Sequence, residues 1–354
     1  MWPSPLWIVP RPSSYAAYIP RLDTPTSHGP WSIVGSSALF TFRSPFLHNI
    51  LSKSRRRSRW SVGRPRGGLR LTGPTMIPAF ESNHPMTTLQ TAPASSAKFD
   101  NNGQYSRTGI LRYEKIFGEH YISTGGHATT EDLCARLGPA LRPGARVLDV
   151  GSGIGGAAFH LARAHGARVT GIDLAEEMDA IARERVVQLG LSDSVDFVLG
   201  DVLETDFPQP FDIVWSRDAF MHIPDKPRLF ARLYALMAPG GRLVITDYAR
   251  GKTPGSPEFE RYIEKTGYSV IEPRQYGELL RAAGFVNVVV DDATARFVEI
   301  LRSEEDRLTA NRSDFLASFS ASDLDYLIDR WNMKIGFCQA GDMKWGIYVA
   351  DKSA

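Results

Sequence analysis

The stretch VLDVGSGIGG, Val147 to Gly156, constrains this chain more than any other. Val147, Leu148 and Val150 read as a short strand, the glycines after them as a turn, and Gly155 and Gly156 as a helix start. Glycine lacks a Cβ and reaches positive φ, so a ligand can press on the backbone of such a turn. The free N–H groups of the helix start lie just behind it. The spacing of Gly151, Gly153 and Gly155 is that of a nucleotide-binding loop, a weak signal alone because many strand-to-helix turns carry glycines without a ligand. Two acids sharpen it. Asp149 sits at the end of the strand beside the turn. Asp173 ends a second strand, ARVTGID, where a carboxylate can accept both hydroxyls of a ribose. The lysine of a triphosphate loop is absent, so the loop fits an adenosine ligand without a pyrophosphate.

The residues that follow alternate in type. Strands are expected at Arg146–Val150, Arg168–Ile172, Val195–Leu199, Phe211–Ser216 and Arg242–Tyr248. Helices are expected at Gly155–His165, Ala175–Leu189, Pro227–Met237 and Tyr276–Ala283. Short apolar strands alternating with helices build a parallel sheet covered on both faces, with right-handed crossovers. Val286–Asp291 and Trp345–Ala350 lack a crossover helix of that kind between them and suit an antiparallel terminal pair. The expected fold is therefore α/β and Rossmann-like, a seven-stranded, mostly parallel sheet with helices on both faces. Residues 292–337 read as a helical cover over the carboxyl edge of the sheet, the edge where such folds bind ligands. Upstream, one helix is expected from near Thr108 through Ser123 and another over Ala128–Leu137.

Charge divides the chain in two. Residues 1–98 hold 12 Lys or Arg against 2 Asp or Glu, whereas the remainder holds 29 against 37. Residues 99–354, the expected catalytic domain, are mildly acidic and do not offer the basic face of a nucleic-acid binder. Residues 1–98 are rich in Pro, Ser and Arg without a sustained apolar period, and read as a disordered extension. Its longest apolar patch, Trp31 to Phe42, is broken by Gly35, Ser36 and Ser37 and is too short to span a bilayer. The run Ser52 to Trp60 admits three readings: a solvated stretch, a targeting segment, or sequence upstream of a working start at Met76 or Met86. Deletion through about residue 95 is expected to leave function intact. The two cysteines, Cys134 and Cys338, cannot make a four-ligand metal site and form no CxxC. No metal is expected, the setting is expected to be reducing and cytoplasmic, with organelle targeting by the extension left open, and the protein a monomer or weak homodimer.

Two further stretches carry chemistry. Asp201 and Val202 follow the third strand, where a carboxylate can accept an adenine amine while the apolar neighbour packs on the ring; the alternative is a solvated turn acid. The fourth strand runs into SRDAFMHIPD, which groups Arg217, Asp218 and His222 at the ligand-binding edge. Asp218 and His222 are four apart, so on a helical turn they would share a face. A carboxylate and an imidazole facing one substrate can orient an amine and take its proton. A helix-capping Asp218 and a packed His222 are the alternative.

Read together, Gln104–Gly126 (QYSRTGILRYEKIFGEHYISTGG), the glycine loop, SRDAFMHI, ITDY (Ile245–Tyr248), Glu258–Tyr268 and WNMKI (Trp331–Ile335) resemble the phosphoethanolamine N-methyltransferases. These are class I S-adenosylmethionine-dependent methyltransferases, and the resemblance covers about residues 100–352. It implies S-adenosylmethionine as methyl donor and a small-molecule acceptor, with neither nucleic acid nor membrane insertion. It implies a latch of Tyr105 and His222 closing over the acceptor, with Asp218 holding the acceptor's amine. The donor contacts it implies fall on Ser123, Gly151, Asp173, Leu174, Asp201, Val202 and Arg217, to which the loop reading adds Asp149 and Gly153. The acceptor pocket it implies falls on Gln104, Tyr113, Ile122, Tyr248, Tyr262, Tyr268 and Lys334. Tyrosine faces attract a substituted ammonium, and their hydroxyls reach a phosphate.

One departure bears on the acceptor. Thr266 stands where the family has an arginine that anchors phosphate. Threonine cannot reproduce an arginine fork, and one charge-assisted contact to a dianion is worth ~1.5–3 kcal/mol. The leading expectation is transfer to a small amine; the alternative is transfer to methionine or a related thioether, giving a sulfonium. Sulfur methylation releases no proton, so His222 would then only position the acceptor. A silent binding module would be expected to lack Asp218 or His222, and both are present.

Overall fold

The structure is a computed structural model and describes residues 103–354. The extension expected over residues 1–98, with its run Ser52 to Trp60, lies outside the described residues. Seven strands form one sheet: β1 (Arg146–Val150), β2 (Arg168–Asp173), β3 (Val195–Leu199), β4 (Phe211–Arg217), β5 (Met237–Arg250), β6 (Val286–Asp292) and β7 (Met343–Asp351). Their order is β3-β2-β1-β4-β5-β7-β6. β1 to β5 run parallel, and β7 lies antiparallel between β5 and β6, as the missing crossover helix implied. The helices are α1 (Arg107–Phe117), α2 (Gly126–Leu137), α3 (Gly156–His165), α4 (Glu176–Gln188), α5 (Lys226–Leu236), α6 (Pro257–Thr266), α7 (Pro273–Ala282), α8 (Thr294–Ala310), α9 (Arg312–Leu316) and α10 (Ala321–Gln339).

Strand residues alternate between two cores. Val147, Trp215 and Val244 pack on one face with apolar residues of α2, α3, α8 and α10. Leu148, Val214 and Leu243 pack on the other with α5 and α7. Side chains alternate along a strand, so covering both faces makes every position apolar, which is why these strands read as unbroken runs. Truncating a leucine in such a core to alanine costs about 2–5 kcal/mol.

Two local features differ from expectation, and a third was left unassigned by the sequence. α1 stops at Phe117 and does not continue to Ser123, because Gly118 takes φ +107 and closes the helix with its N–H on the Glu114 carbonyl at 2.8 Å. The freed chain turns back, so that Ile122 and Ser123 face the cleft described below. β5 begins at Met237, five residues early, with a register shift against β4 between Phe211 and Ile213. The Glu258–Tyr268 stretch is largely helical: it forms α6 and is ended by Gly267 at φ +68. The expected cover over residues 292–337 is made by α8, α9 and α10. Strand order reverses between β2-β1 and β4-β5, which leaves a crevice at the carboxyl ends of the central strands.

Candidate active site

The crevice is one continuous cleft. Its first half is built by the loops after β1, β2 and β3. Gly151 and Gly153 have φ of +70 and +54, and the Gly151 N–H donates to the Ile172 carbonyl at 2.8 Å. A Cβ on Gly151 would stand 2.4 Å from the Ala219 Cβ, and one on Gly153 would stand 2.7 Å from the Ile122 side chain. Asp173 accepts the N–H groups of Gly153 at 2.8 Å and Ala175 at 2.9 Å, so it fixes the loop it faces. Burial raises the Asp173 carboxyl, and those N–H groups oppose the rise. Asp149 is 2% exposed, and its Oδ2 has no hydrogen-bond partner among the described residues. Burial pushes its carboxyl up to about 7, opposed by Arg217. Ser123, Leu174, Asp201 and Val202 complete this half. Asp201 also accepts the Leu203 N–H at 2.8 Å.

The second half is built on the end of β4. Asp218 has φ +49, a conformation open to Asp and Asn more than to most side chains. Its carboxylate is held by three donors: Trp345 Nε1 at 2.8 Å, Thr246 Oγ1 at 2.9 Å and the Thr124 N–H at 3.1 Å. Asp218 and His222 do not share a helix face, contrary to the i, i+4 expectation. Positive φ at Asp218 breaks the chain, and His222 closes a separate 3-10 turn, Phe220–His222. Both nevertheless line the cleft. His222 Nε2 lies 3.1 Å from Tyr105 Oη, and its ring meets Tyr268 edge-on at 5.1 Å. Burial, then Lys226, lowers the imidazole to about 4, so the ring is neutral at pH 7.

Lys226 is a residue the sequence reading passed over. It is 2% exposed and donates to the carbonyls of Phe220, Ile223 and Ser269 at 2.8, 2.7 and 2.8 Å. It thereby pins the His222 turn to the segment carrying Tyr268. Lys226→Met keeps the length but strands those carbonyls, and is expected to lower stability in urea unfolding by about 3 kcal/mol. Unchanged unfolding would show the turn holding without the ammonium. Glu304 was also passed over. It is 1% exposed and accepts the Gly125 N–H at 2.7 Å and Trp331 Nε1 at 2.9 Å, tying α8 and α10 to the loop that carries Ser123 and Thr124.

Tyr113, Tyr248, Tyr268 and Lys334 line the far end of the cleft, with Gln104 and Ile122 at its sides. Lys334 Nζ donates to Tyr248 Oη at 3.1 Å and lies 4.5 Å from the Trp331 ring centroid. Tyr262 does not line the cleft. It sits one layer behind, its ring 5.8 Å from Tyr268 and 5.3 Å from Phe337, because it lies on the buried side of α6. Arg217 lines the cleft, but its guanidinium donates to the Thr124 carbonyl, the Gly126 carbonyl at 2.8 Å and Thr130 Oγ1 at 2.7 Å. It braces the Ser123–Gly126 loop. Neither Thr266 nor Lys265 lines the cleft, and Thr266 Oγ1 bonds back to the Tyr262 carbonyl at 2.8 Å. Arg330, one helical turn before Lys334, does line it and was not singled out from the sequence.

Away from the cleft, α2 and α3 bring together His127, Glu131, Cys134, His160 and His165, metal-ligating types that sequence spacing alone did not cluster. Among the described residues, no helix is long and apolar enough to cross a membrane.

Three comparisons place the molecule among known proteins. A Plasmodium falciparum phosphoethanolamine N-methyltransferase is 35% identical over 263 residues, 73% of this chain and 97% of that protein. Arabidopsis thaliana phosphoethanolamine N-methyltransferase 1 is 40% identical over 257 residues, 72% of this chain and 52% of that protein, so the chain spans about half the length of that relative. A Haemonchus contortus phosphoethanolamine N-methyltransferase 2, solved with phosphomonomethylethanolamine and S-adenosylhomocysteine, superposes with a TM-score of 0.71 at 36% identity, covering 74% of this chain and 61% of that one. Sheet order, glycine loop and the acids at the ends of β1 and β2 define a class I S-adenosylmethionine-dependent methyltransferase, and residues 147–241 match the model of a methyltransferase domain. With a relative matched over nearly its whole length, the chain belongs to the phosphoethanolamine N-methyltransferase family.

Proposed function

We propose that the chain moves the methyl group of S-adenosylmethionine to the nitrogen of phosphoethanolamine or of its methylated derivatives. The observation that carries the reading is the Asp218 carboxylate, fixed by three donors where the glycine loop meets the tyrosine-lined end of the cleft. A carboxylate so held is a ready counter-ion for an ammonium. The donor's place is supported by the residues around it. Gly151 and Gly153 admit no Cβ, and the partnerless Oδ2 of Asp149 suits a cationic group. Asp173, Asp201, Leu174, Val202 and Ser123 would hold the rest, with Arg217 as a positioning residue for the loop. When bound, the donor supplies an already activated methyl, so catalysis is mostly placement and exclusion of water.

The acceptor's ammonium docks on Asp218. It must lose a proton before its lone pair can form the N–CH₃ bond as the S–CH₃ bond breaks. The neutral His222 ring, hydrogen-bonded to Tyr105, would relay that proton onward to water rather than keep it, since burial disfavours its charged form. A thioether acceptor would release no proton and so leave the base unused, and the family relationship does not favour it.

Labelled S-adenosylmethionine offered to the full chain with phosphoethanolamine, ethanolamine or methionine tests the reading. Transfer to phosphoethanolamine is expected, with ethanolamine poorer by ~10-fold or more, the worth of a charge-assisted contact. Transfer to methionine and none to phosphoethanolamine would overturn it.

A further inference from the structure

We propose that Arg330, acting with Lys334, is the phosphate anchor of the acceptor pocket, supplied from α10 in place of the α6 position that Thr266 occupies. This rests on the reading of the acceptor as a phosphorylated amine and adds the residue that selects it. Four residues separate the two cations on one helix, so they project on the same side, and both line the cleft.

Neither cation is neutralised by a carboxylate among the described residues. Both oxygens of the neighbouring Glu304 are already engaged by Gly125 and Trp331. Arg112, which shares the Tyr326 ring with Arg330, differs in being paired with Asp323. The Arg330 Nε is buried without a hydrogen-bond partner, which a solvated surface arginine would not be. The Tyr326 ring lies 5.5 Å from its guanidinium, so an aromatic face meets the charge there. The hydroxyl of Tyr113, which lines the same cleft, is likewise buried.

Two like charges and an unpartnered guanidinium N–H beside a cleft are costly unless an anion joins them. A phosphate dianion fits: it takes the arginine fork, the ammonium and phenol O–H groups together. Lys334 carries the cost of the anion's absence, held down to about 7 first by burial and then by Arg330. An anion between them restores its proton. α6 offers no substitute, since Thr266 Oγ1 is turned into its own helix and Lys265 is exposed on its outer side.

The test compares wild type, Arg330→Met, Arg330→Lys and Thr266→Arg/Arg330→Met, each saturated with S-adenosylhomocysteine. Calorimetry measures Kd for phosphoethanolamine and for inorganic phosphate. Arg330→Met should weaken both by ~10–100-fold and leave S-adenosylhomocysteine affinity unchanged within about twofold. Arg330→Lys should lose less, because it keeps charge without the fork, and the double variant should recover part of the loss. Proton uptake on phosphoethanolamine binding at pH 8 should be present in wild type and reduced in Arg330→Met. Wild-type affinity retained by Arg330→Met, with the wild type methylating phosphoethanolamine, would overturn this inference alone. A wild type that binds S-adenosylhomocysteine but neither phosphoethanolamine nor phosphate would overturn the proposed function instead. Should Arg330→Met unfold at a lower temperature, the ratio of phosphoethanolamine to ethanolamine affinity in Arg330→Lys decides: an unchanged ratio overturns the proposal.

Discussion

Asp218→Asn is expected to lower kcat/KM for the amine acceptor by ~100-fold or more while S-adenosylhomocysteine affinity stays within about threefold. Every group that contacts the carboxylate is a donor: Trp345 Nε1, Thr246 Oγ1 and the Thr124 N–H. An asparagine amide has one acceptor end only, so its NH₂ must face a donor or turn away, and the charge that holds an ammonium is gone. The backbone does not add to the loss. Asparagine tolerates the left-handed conformation at φ +49 as readily as aspartate, whereas alanine there would bring strain of its own. The variant should therefore fold, bind the methyl donor's product and fail at the acceptor. Steady-state kinetics with calorimetry for S-adenosylhomocysteine separates the two effects. Turnover at the parent level would remove Asp218 from the acceptor site.

What could be read beforehand was whatever depends on local pattern. The apolar runs gave the strands because the sheet is covered on both faces, and the missing crossover helix gave the antiparallel β7. The glycine loop alone was less decisive than it looked. Gly151, Gly153 and Gly156 also satisfy the spacing of a dinucleotide loop, and it is the orphaned Asp149 beside them that points to a cationic ligand. What escaped depends on distant partners. Lys226 looks like any helix-start lysine until β4, α5 and the Ser269 segment meet around it. Glu304 reads as a surface acid of a polar helix, yet it joins Gly125 to Trp331 across 179 and 27 residues of chain. Arg330 is one arginine among many until α10 folds over the sheet. Tyr262 erred the other way: sequence matching placed it in the pocket, and the phase of α6 sets it behind Tyr268. Helical phase at Asp218 and His222 misled for a related reason, since periodicity holds only while the chain stays in one element.

The latch carries the other large effect. His222→Ala is expected to lower kcat by ~10²–10³-fold and Tyr105→Phe by about 10-fold, with donor affinity little changed. The pair is 3.1 Å apart, and burial keeps both members uncharged near neutrality, lowering the imidazole to about 4 and raising the phenol. A neutral pair closes the cleft without adding a charge that would compete with the acceptor's ammonium for Asp218. Stability should carry the same signature. The folded value of about 4 lies below the ordinary 6.5, so between them the unfolded chain binds the extra proton. The stability contributed by the neutral ring is complete above about pH 6.5 and is lost as pH falls toward 4. Denaturation at pH 7.5 and pH 5.0 should therefore show wild type losing about 2 kcal/mol more than His222→Ala on acidification. Parallel losses in the two proteins would mean that the imidazole is solvated, and full turnover in both latch variants would mean that the cleft closes without it.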